Sequence, residues 1–230
     1  MAREKQTDAI KTPVAVPING QSLPGDLGVP ADPQGIVLFA HGSGSSRHSP
    51  RNQYVARTLE HRHLATLLID LLTPEEEAID DRTAEYRFDI PMLAGRLVTI
   101  VDWLRLRKDT ASLPIGLFGA STGGGAALIA AAERPRDIAA VVSRGGRPDL
   151  ADAALPKVTT PTLLIVGGFD APVIEMNRDA MKQMRGEVKL EIVPGATHLF
   201  EEPGTLERVA ALAGDWFAQH LRPAEATRRR

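Results

Sequence analysis

Residues 116–125 read GLFGASTGGG, and they place one serine, Ser121, between Gly119 and Gly123 directly after an apolar run. The next residues, AALIAAAE, strongly favour a helix. A serine at a strand-to-helix junction, with a glycine two positions away on each side, fits the sharp turn that exposes a catalytic nucleophile. The same pattern also arises by chance in a glycine-rich chain, so this interpretation of Ser121 depends on the rest of the sequence.

Short apolar runs recur along the chain. They occupy residues 36–40, 65–69, 115–118, 138–142, 162–166 and 188–193. Because these runs do not alternate with polar residues, they predict strands that are buried on both faces of a parallel sheet. Two further strands are expected before them, joined by a tight turn at Asn19 and Gly20, a pair that tolerates positive φ.

Segments with helical spacing separate these runs. The clearest has apolar residues three and four positions apart, at Leu93, Leu97, Ile100, Val101 and Leu104. The last has Leu206, Val209, Ala213, Trp216, Phe217 and Leu221, and Pro223 is expected to end it. The alternation predicts an α/β fold with a mostly parallel central sheet, helices on both faces and antiparallel strands at the N-terminus.

The bulk properties narrow the possible functions. A length of 230 residues with 43% hydrophobic content fits one domain, which we place at residues 13–223 between a polar tail at 1–12 and a basic tail at 224–230. A net charge of −2 predicts no nucleic acid or membrane partner. The sequence shows no secretion signal, no membrane span and no cysteine, so we expect a cytoplasmic protein, either a monomer or a homodimer.

Metal and cofactor chemistry is not expected. The acidic run EEEAIDD at residues 75–81 lacks histidine partners and the pattern of a calcium loop. We interpret it as the solvated start of a helix. The chain is therefore predicted to hold no metal and no organic cofactor, and its partner is expected to be a small-molecule ester substrate.

The catalytic base is sought at the carboxyl ends of the strands, where ligands bind in an open parallel sheet. His198 follows the last predicted strand, in the sequence EIVPGATH. The other histidines lie in or beside helices (His61, His63 and His220) or in the first strand-to-helix loop (His41 and His48). We predict that His198 is the base, that His41 braces its loop and that His48 is solvated.

A carboxylate has to orient the imidazole of such a base. Asp170 directly follows the run at 162–166 and precedes His198 in the chain. Glu175, Asp149 and Asp152 remain as alternative carboxylates. The predicted triad is Ser121, Asp170 and His198.

Two amides are predicted to hold the oxyanion of an acyl-transfer intermediate. The first is Thr122, at the start of the helix, and the second is Ser43 or Gly44, in the loop HGSGSS after the first central strand. Arg144 and Arg147 follow the strand beside the elbow, whereas Arg47 and Arg51 follow the oxyanion loop. Gly44, Arg47 and Arg144 are the predicted substrate-binding residues, Arg47 and Arg144 as clamps for a carboxylate or phosphate. The alternative is that the arginines pair with Asp149 or with acidic residues at 75–77 and 80–81.

The blocks AHGSGSS, GASTGGG, GGFDAP and GATHLF resemble the α/β-hydrolase superfamily. Together with LIDLLTPEEE and SRGGRPDLA they are similar to its dienelactone hydrolase-like branch over nearly the whole chain after residue 13. The order Ser121, Asp170, His198 is the order of that superfamily. Dienelactone hydrolases proper have a cysteine in the elbow, so the resemblance implies ester hydrolysis through Ser121 rather than a dienelactone substrate. Some members are fused to a phosphoribosyltransferase domain, for which no residues remain in the predicted domain.

The predicted function is thus that of a serine esterase acting on carboxylic esters. A small peptidase, a thioesterase or a non-hydrolytic ligand-binding homologue with the same pocket remain as alternatives. About 17 residues separate the strand that ends near residue 143 from the next one, which is too few for a multi-helix lid. Without a large lid, we expect a preference for esters with short or compact acyl groups.

Overall fold

The computed structural model describes residues 9–222, which contain eight strands. They are β1 (Ile10–Ile18), β2 (Gln21–Val29), β3 (Gly35–Ala40), β4 (Leu64–Ile69), β5 (Ile115–Ala120), β6 (Ile138–Arg144), β7 (Thr162–Gly167) and β8 (Val188–Val193). All eight form one sheet in the order β1-β2-β4-β3-β5-β6-β7-β8. The pairs β1–β2 and β2–β4 are antiparallel, and the other pairs are parallel. The predicted fold class is confirmed.

Six α-helices and one 3₁₀ segment connect these strands within the described part of the chain. They are α1 (Pro50–Glu60), α2 (Pro74–Thr83), α3 (Ile90–Leu106), α4 (Thr122–Glu133), α5 (Ala171–Met181), α6 (Thr205–His220) and the 3₁₀ segment Pro148–Lys157. This 3₁₀ segment is the regular structure found between β6 and β7, so the prediction that the fold lacks a large lid is confirmed. No helix among residues 9–222 is long and apolar enough to cross a bilayer.

The N-terminal hairpin begins earlier than expected. Its turn is where the sequence placed it, because Asn19 and Gly20 both have positive φ, of 45° and 82°. However, β1 begins at Ile10, three residues before the predicted domain start at residue 13. The whole of β1 pairs with β2, from Ile10 opposite Val29 to Ile18 opposite Gln21, and this pairing extends the strand into the polar stretch. Residues 1–8, Pro223 and the tail at 224–230 lie outside the described residues.

The core consists of two apolar layers on opposite faces of the sheet. On one face, the five predicted apolar residues of α3 are all buried and pack with α4 against inward-facing strand residues such as Leu38 and Leu117. On the other face, Phe39 and Phe118 stack at 4.9 Å between ring centroids and pack with α1 and α6. Burying each large side chain of this kind contributes about 1.5–3 kcal/mol. The two layers hold the strand ends in a fixed arrangement, on which the candidate site is built.

Candidate active site

Ser121 occupies a strained turn between β5 and α4. Its φ and ψ are 50° and −121°, a combination that is uncommon for a residue with a side chain. Both neighbouring elements approach too closely for any side chain at the flanking positions. A Cβ on Gly119 would lie 2.6 Å from the Gly123 carbonyl oxygen, and a Cβ on Gly123 would lie 2.2 Å from the Ala40 carbonyl oxygen. The two glycines therefore allow the turn that brings the Ser121 side chain to the carboxyl edge of the sheet.

His198 reaches Ser121 from the loop after β8. Its Nε2 lies 3.3 Å from Ser121 Oγ, and its Nδ1 lies 2.6 Å from Asp170 Oδ2. Since an ionised carboxylate only accepts, Nδ1 carries the proton in this pair, which leaves the Nε2 lone pair facing the serine hydroxyl. The structure thus brings together the three side chains that the sequence predicted as a triad.

Asp170 is free to make this contact because of its place in the fold. It is the residue before the first turn of α5, yet its side chain makes no capping hydrogen bond with that helix. The alternative carboxylates lie elsewhere. Glu175 pairs with Arg178 at 2.5 Å, and Asp149 pairs with Arg147 at 2.7 Å. Asp152 is exposed in the 3₁₀ segment.

The two predicted oxyanion donors lie side by side, but one of them already has an acceptor. The Thr122 amide belongs to the first turn of α4, where N–H groups have no acceptor within the helix. The Ser43 amide donates to the Thr122 hydroxyl oxygen at 2.9 Å. The sequence analysis missed this role of the Thr122 side chain, because the contact joins residues 79 positions apart. Gly44, with φ of 68°, gives the loop its bend and lines the cleft beside Ser43.

The loop that carries Ser43 is held by buried polar contacts. His41 Nε2 accepts a hydrogen bond from the Leu71 amide, and His41 Nδ1 contacts the Gly42 carbonyl oxygen, both at 3.0 Å. His41 therefore braces the loop as predicted. Burial lowers the pKa of His41. The Arg47 guanidinium is engaged by carboxylates, because it pairs with Asp70 and lies 3.5 Å from Asp26. Ion pairing was the alternative left open for Arg47, although these two partners were not foreseen.

A cleft of about 550 Å³ opens in front of Ser121 and His198. It is lined by residues 42–46, 48–51, Ala120, Ser121, Arg144, His198 and Leu199. Arg144, one of the predicted substrate-binding residues, is 8% exposed and donates to Asn52 Oδ1 at 3.3 Å. Burial, together with the positive charge of Arg51, lowers the pKa of Arg144 to about 10. Within residues 9–222, no group of three or more histidine, aspartate or glutamate side chains is arranged to hold a metal ion.

Relatives of the chain have the same fold. A protein described as a dienelactone hydrolase from Anabaena variabilis is 60% identical, and its crystal structure superimposes with a TM-score of 0.92 over 94% of this chain and 100% of its own. A structure from Xanthomonas campestris, described as an α/β serine hydrolase without lid, is 19% identical with a TM-score of 0.73 over 93% and 96% of the two chains. At that identity the likeness concerns the fold alone.

Two curated relatives come from strains of Mycobacterium tuberculosis and bear the provisional name phosphoribosyl transferase. Each is 57% identical to this chain over 219 residues, which cover 95% of this chain and 47% of the relative. The chain therefore spans about half the length of these proteins. The family model of the alpha/beta hydrolase domain matches residues 33–211. The chain belongs to the α/β-hydrolase family, and within it resembles a dienelactone hydrolase in sequence and in fold.

Proposed function

We propose that this protein is a serine hydrolase that cleaves carboxylic esters with short or compact acyl groups. The observation that carries the proposal is the line of contacts from Ser121 Oγ through His198 to Asp170, on a strained elbow that faces an open cleft. Nucleophile, base and orienting carboxylate within hydrogen-bond reach of one another are the arrangement that acyl transfer requires.

In the proposed reaction, Ser121 Oγ attacks the acyl carbon while His198 Nε2 takes the hydroxyl proton. The imidazolium that forms is stabilised by Asp170, whose Oδ2 lies 2.6 Å from Nδ1. Collapse of the tetrahedral intermediate breaks the ester C–O bond, and His198 returns the proton to the alcohol that leaves. A water molecule then attacks the acyl-enzyme by the same route, which releases the acid and restores the serine hydroxyl.

The oxyanion of the intermediate is proposed to accept the amides of Thr122 and Ser43. The Ser43 N–H donates to the Thr122 hydroxyl in the present structure, so it has to be shared between that hydroxyl and the oxyanion during the reaction.

The preference for compact acyl groups rests on the connection between β6 and β7. It contains only the 3₁₀ segment Pro148–Lys157 as regular structure, so no multi-helix lid opens there toward a lipid surface. The other segment near the cleft, around α2, is held in place by hydrogen bonds and an ion pair. Asp80 accepts the Tyr86 and Arg87 amides and pairs with the Arg87 side chain at 2.6 Å.

The provisional name of the Mycobacterium relatives belongs to proteins of about twice this length. For the part that this chain matches, we propose ester hydrolysis rather than phosphoribosyl transfer. Thioester or amide cleavage by the same three residues and non-hydrolytic binding in the same cleft are the alternatives, since fold and triad do not fix the leaving group.

The test measures kcat/KM for p-nitrophenyl acetate, butyrate, octanoate and palmitate below micellar concentrations. We expect a maximum at acetate or butyrate, and a maximum at palmitate would contradict the proposed acyl preference. A thioester and a peptide substrate separate the alternatives. Ser121→Ala is expected to fold normally and to lose a factor on the order of 10⁴ in kcat. If the folded variant keeps a tenth of the activity, Ser121 is not the nucleophile.

A further inference from the structure

Arg144 is a buried cation that pairs with no aspartate or glutamate among the described residues. It ends β6 beside the elbow, it is 8% exposed, and it lines the same cleft as Ser121 and His198. Its one side-chain hydrogen bond among the described residues is to the neutral amide oxygen of Asn52, through Nη2. The other terminal nitrogen, Nη1, is buried and has no hydrogen-bond partner.

Such a group is costly in a folded protein. Removing a guanidinium from water costs several kcal/mol unless an opposite charge and hydrogen bonds compensate for it. Arg47 and Arg147, by contrast, have this compensation in Asp70 and Asp149. With a pKa of about 10, Arg144 still carries its charge at neutral pH. Arg144 lines the cleft, so an anionic partner could approach it from there.

Arg51 adds a second unsatisfied donor to the same wall. It lies in the first turn of α1 and lines the cleft, and its Nε is buried without a hydrogen-bond partner. Its Nη1 contacts Glu201, which is 62% exposed, at 3.1 Å. Arg51 is close enough to Arg144 for its charge to lower the pKa of Arg144. An anion between these two guanidinium groups would relieve their repulsion and give Arg144 an anionic partner.

The other residues of the cleft leave the positive charge of these two arginines uncompensated. Among the described residues that line it, none is an aspartate or a glutamate. The acidic side chains of this region, among them Asp70 and Asp80, line a separate cavity of about 170 Å³ that borders the same loop. A negatively charged ligand therefore meets two arginines and no carboxylate in the cleft.

We propose that Arg144 and Arg51 form a subsite for an anionic oxyacid group, a carboxylate or a phosphate, carried by the substrate. The inference rests on the proposed ester hydrolysis and specifies its substrate class: compact esters that bear one such group within reach of the scissile bond. The anion pairs with the guanidinium groups of Arg144 and Arg51 where these side chains line the cleft, while Ser121 attacks the ester carbon.

The first test compares matched substrates that differ in charge. The mono-p-nitrophenyl ester of adipic acid carries a carboxylate, p-nitrophenyl 5-phosphonopentanoate carries a phosphonate, and methyl p-nitrophenyl adipate is the neutral control. We expect kcat/KM of the wild-type protein to favour a charged ester over the neutral one by about 10- to 100-fold. Arg144→Gln should bring that ratio close to one. Arg178→Gln removes the same charge from the exposed face of α5 and should keep the ratio and the activity unchanged.

The second test reads the subsite without turnover. Calorimetry on Ser121→Ala protein measures the binding of adipate and of inorganic phosphate, and adding Arg144→Gln or Arg51→Gln should abolish it. Arg51→Gln keeps the test valid if the buried Arg144 position does not tolerate substitution. The tighter of the two anions identifies the chemical source. If neutral and charged esters react equally and neither anion binds, water alone fills the gap and the inference is overturned. If no ester reacts but the anions bind, the proposed hydrolysis fails and the subsite stands.

Discussion

Asp170→Asn tests the proposed roles of the three site residues most directly. The wild-type carboxylate lies 2.6 Å from His198 Nδ1 and is 14% exposed at the side chain. In the proposed reaction it therefore stabilises an imidazolium in a partly desolvated environment. A hydrogen bond to a charged group contributes about 1.5–3 kcal/mol, which corresponds to about 10- to 150-fold in rate. Asparagine also presents an N–H to Nδ1, which moves the imidazole proton to Nε2 and removes the base that faces Ser121. Together the two effects should lower kcat/KM by about 10³- to 10⁴-fold.

The assay is the hydrolysis of p-nitrophenyl acetate, corrected for the spontaneous reaction, with the rate of fluorophosphonate labelling as a second readout. The fold should be retained, since the Asp170 side chain does not cap α5. A shift in melting temperature of less than about 4 °C is expected. The matched control is Glu175→Gln, a carboxylate in the first turns of α5 that pairs with Arg178 at 2.5 Å. If Asp170→Asn keeps more than a tenth of the activity, or if Glu175→Gln loses as much, Asp170 does not orient the base.

Two further predictions concern the elbow and the loop behind it. Gly123→Ala places a Cβ 2.2 Å from the Ala40 carbonyl oxygen, so it should lower both the yield of folded protein and its activity. The control is Gly95→Ala, where the added Cβ has no neighbouring atom within 4 Å. This variant should raise the free energy of unfolding by about 0.4–1 kcal/mol. Chemical denaturation measures both, and equal stability of the two variants would contradict the steric reasoning. Burial lowers the pKa of His41 in the folded protein, whereas in the unfolded chain this pKa is about 6.5. Below pH 6.5 the unfolded chain therefore binds a proton at His41 that the folded protein does not bind. Stability contributed by neutral His41 is thus complete above that pH and is lost as the pH falls toward the folded pKa. His41→Gln should flatten the fall in stability between pH 7.5 and 5.5, His48→Gln should not, and identical slopes for all three proteins would refute the explanation.

The sequence by itself determined the strands, the elbow and the chain order of the site. Unalternated apolar runs are a local signal, because a strand covered on both faces needs an apolar side chain at nearly every position. All six runs became strands with ends within two residues of the predicted ones, but the edge strand β8 is not buried on both faces as predicted, because only Val193 of its residues is buried. The turn at Ser121 is local in part. Its positive φ and the crowding at Gly119 arise within a few residues, whereas the crowding at Gly123 comes from Ala40 on the neighbouring strand β3.

Only the tertiary structure decided which polar side chains meet. The sequence offered both Arg47, in the loop after β3, and Arg144, at the end of β6, as substrate-binding residues. Sheet order places Asp70 beside Arg47, 23 positions away, whereas the nearest polar partner of Arg144 is Asn52, 92 positions away. The Ser43 amide likewise meets the Thr122 hydroxyl because β3 and β5 are neighbours in the sheet. Ion pairs and hydrogen bonds between distant segments depend on how the strands are ordered and packed, and no periodicity or spacing within a short stretch of chain encodes that order.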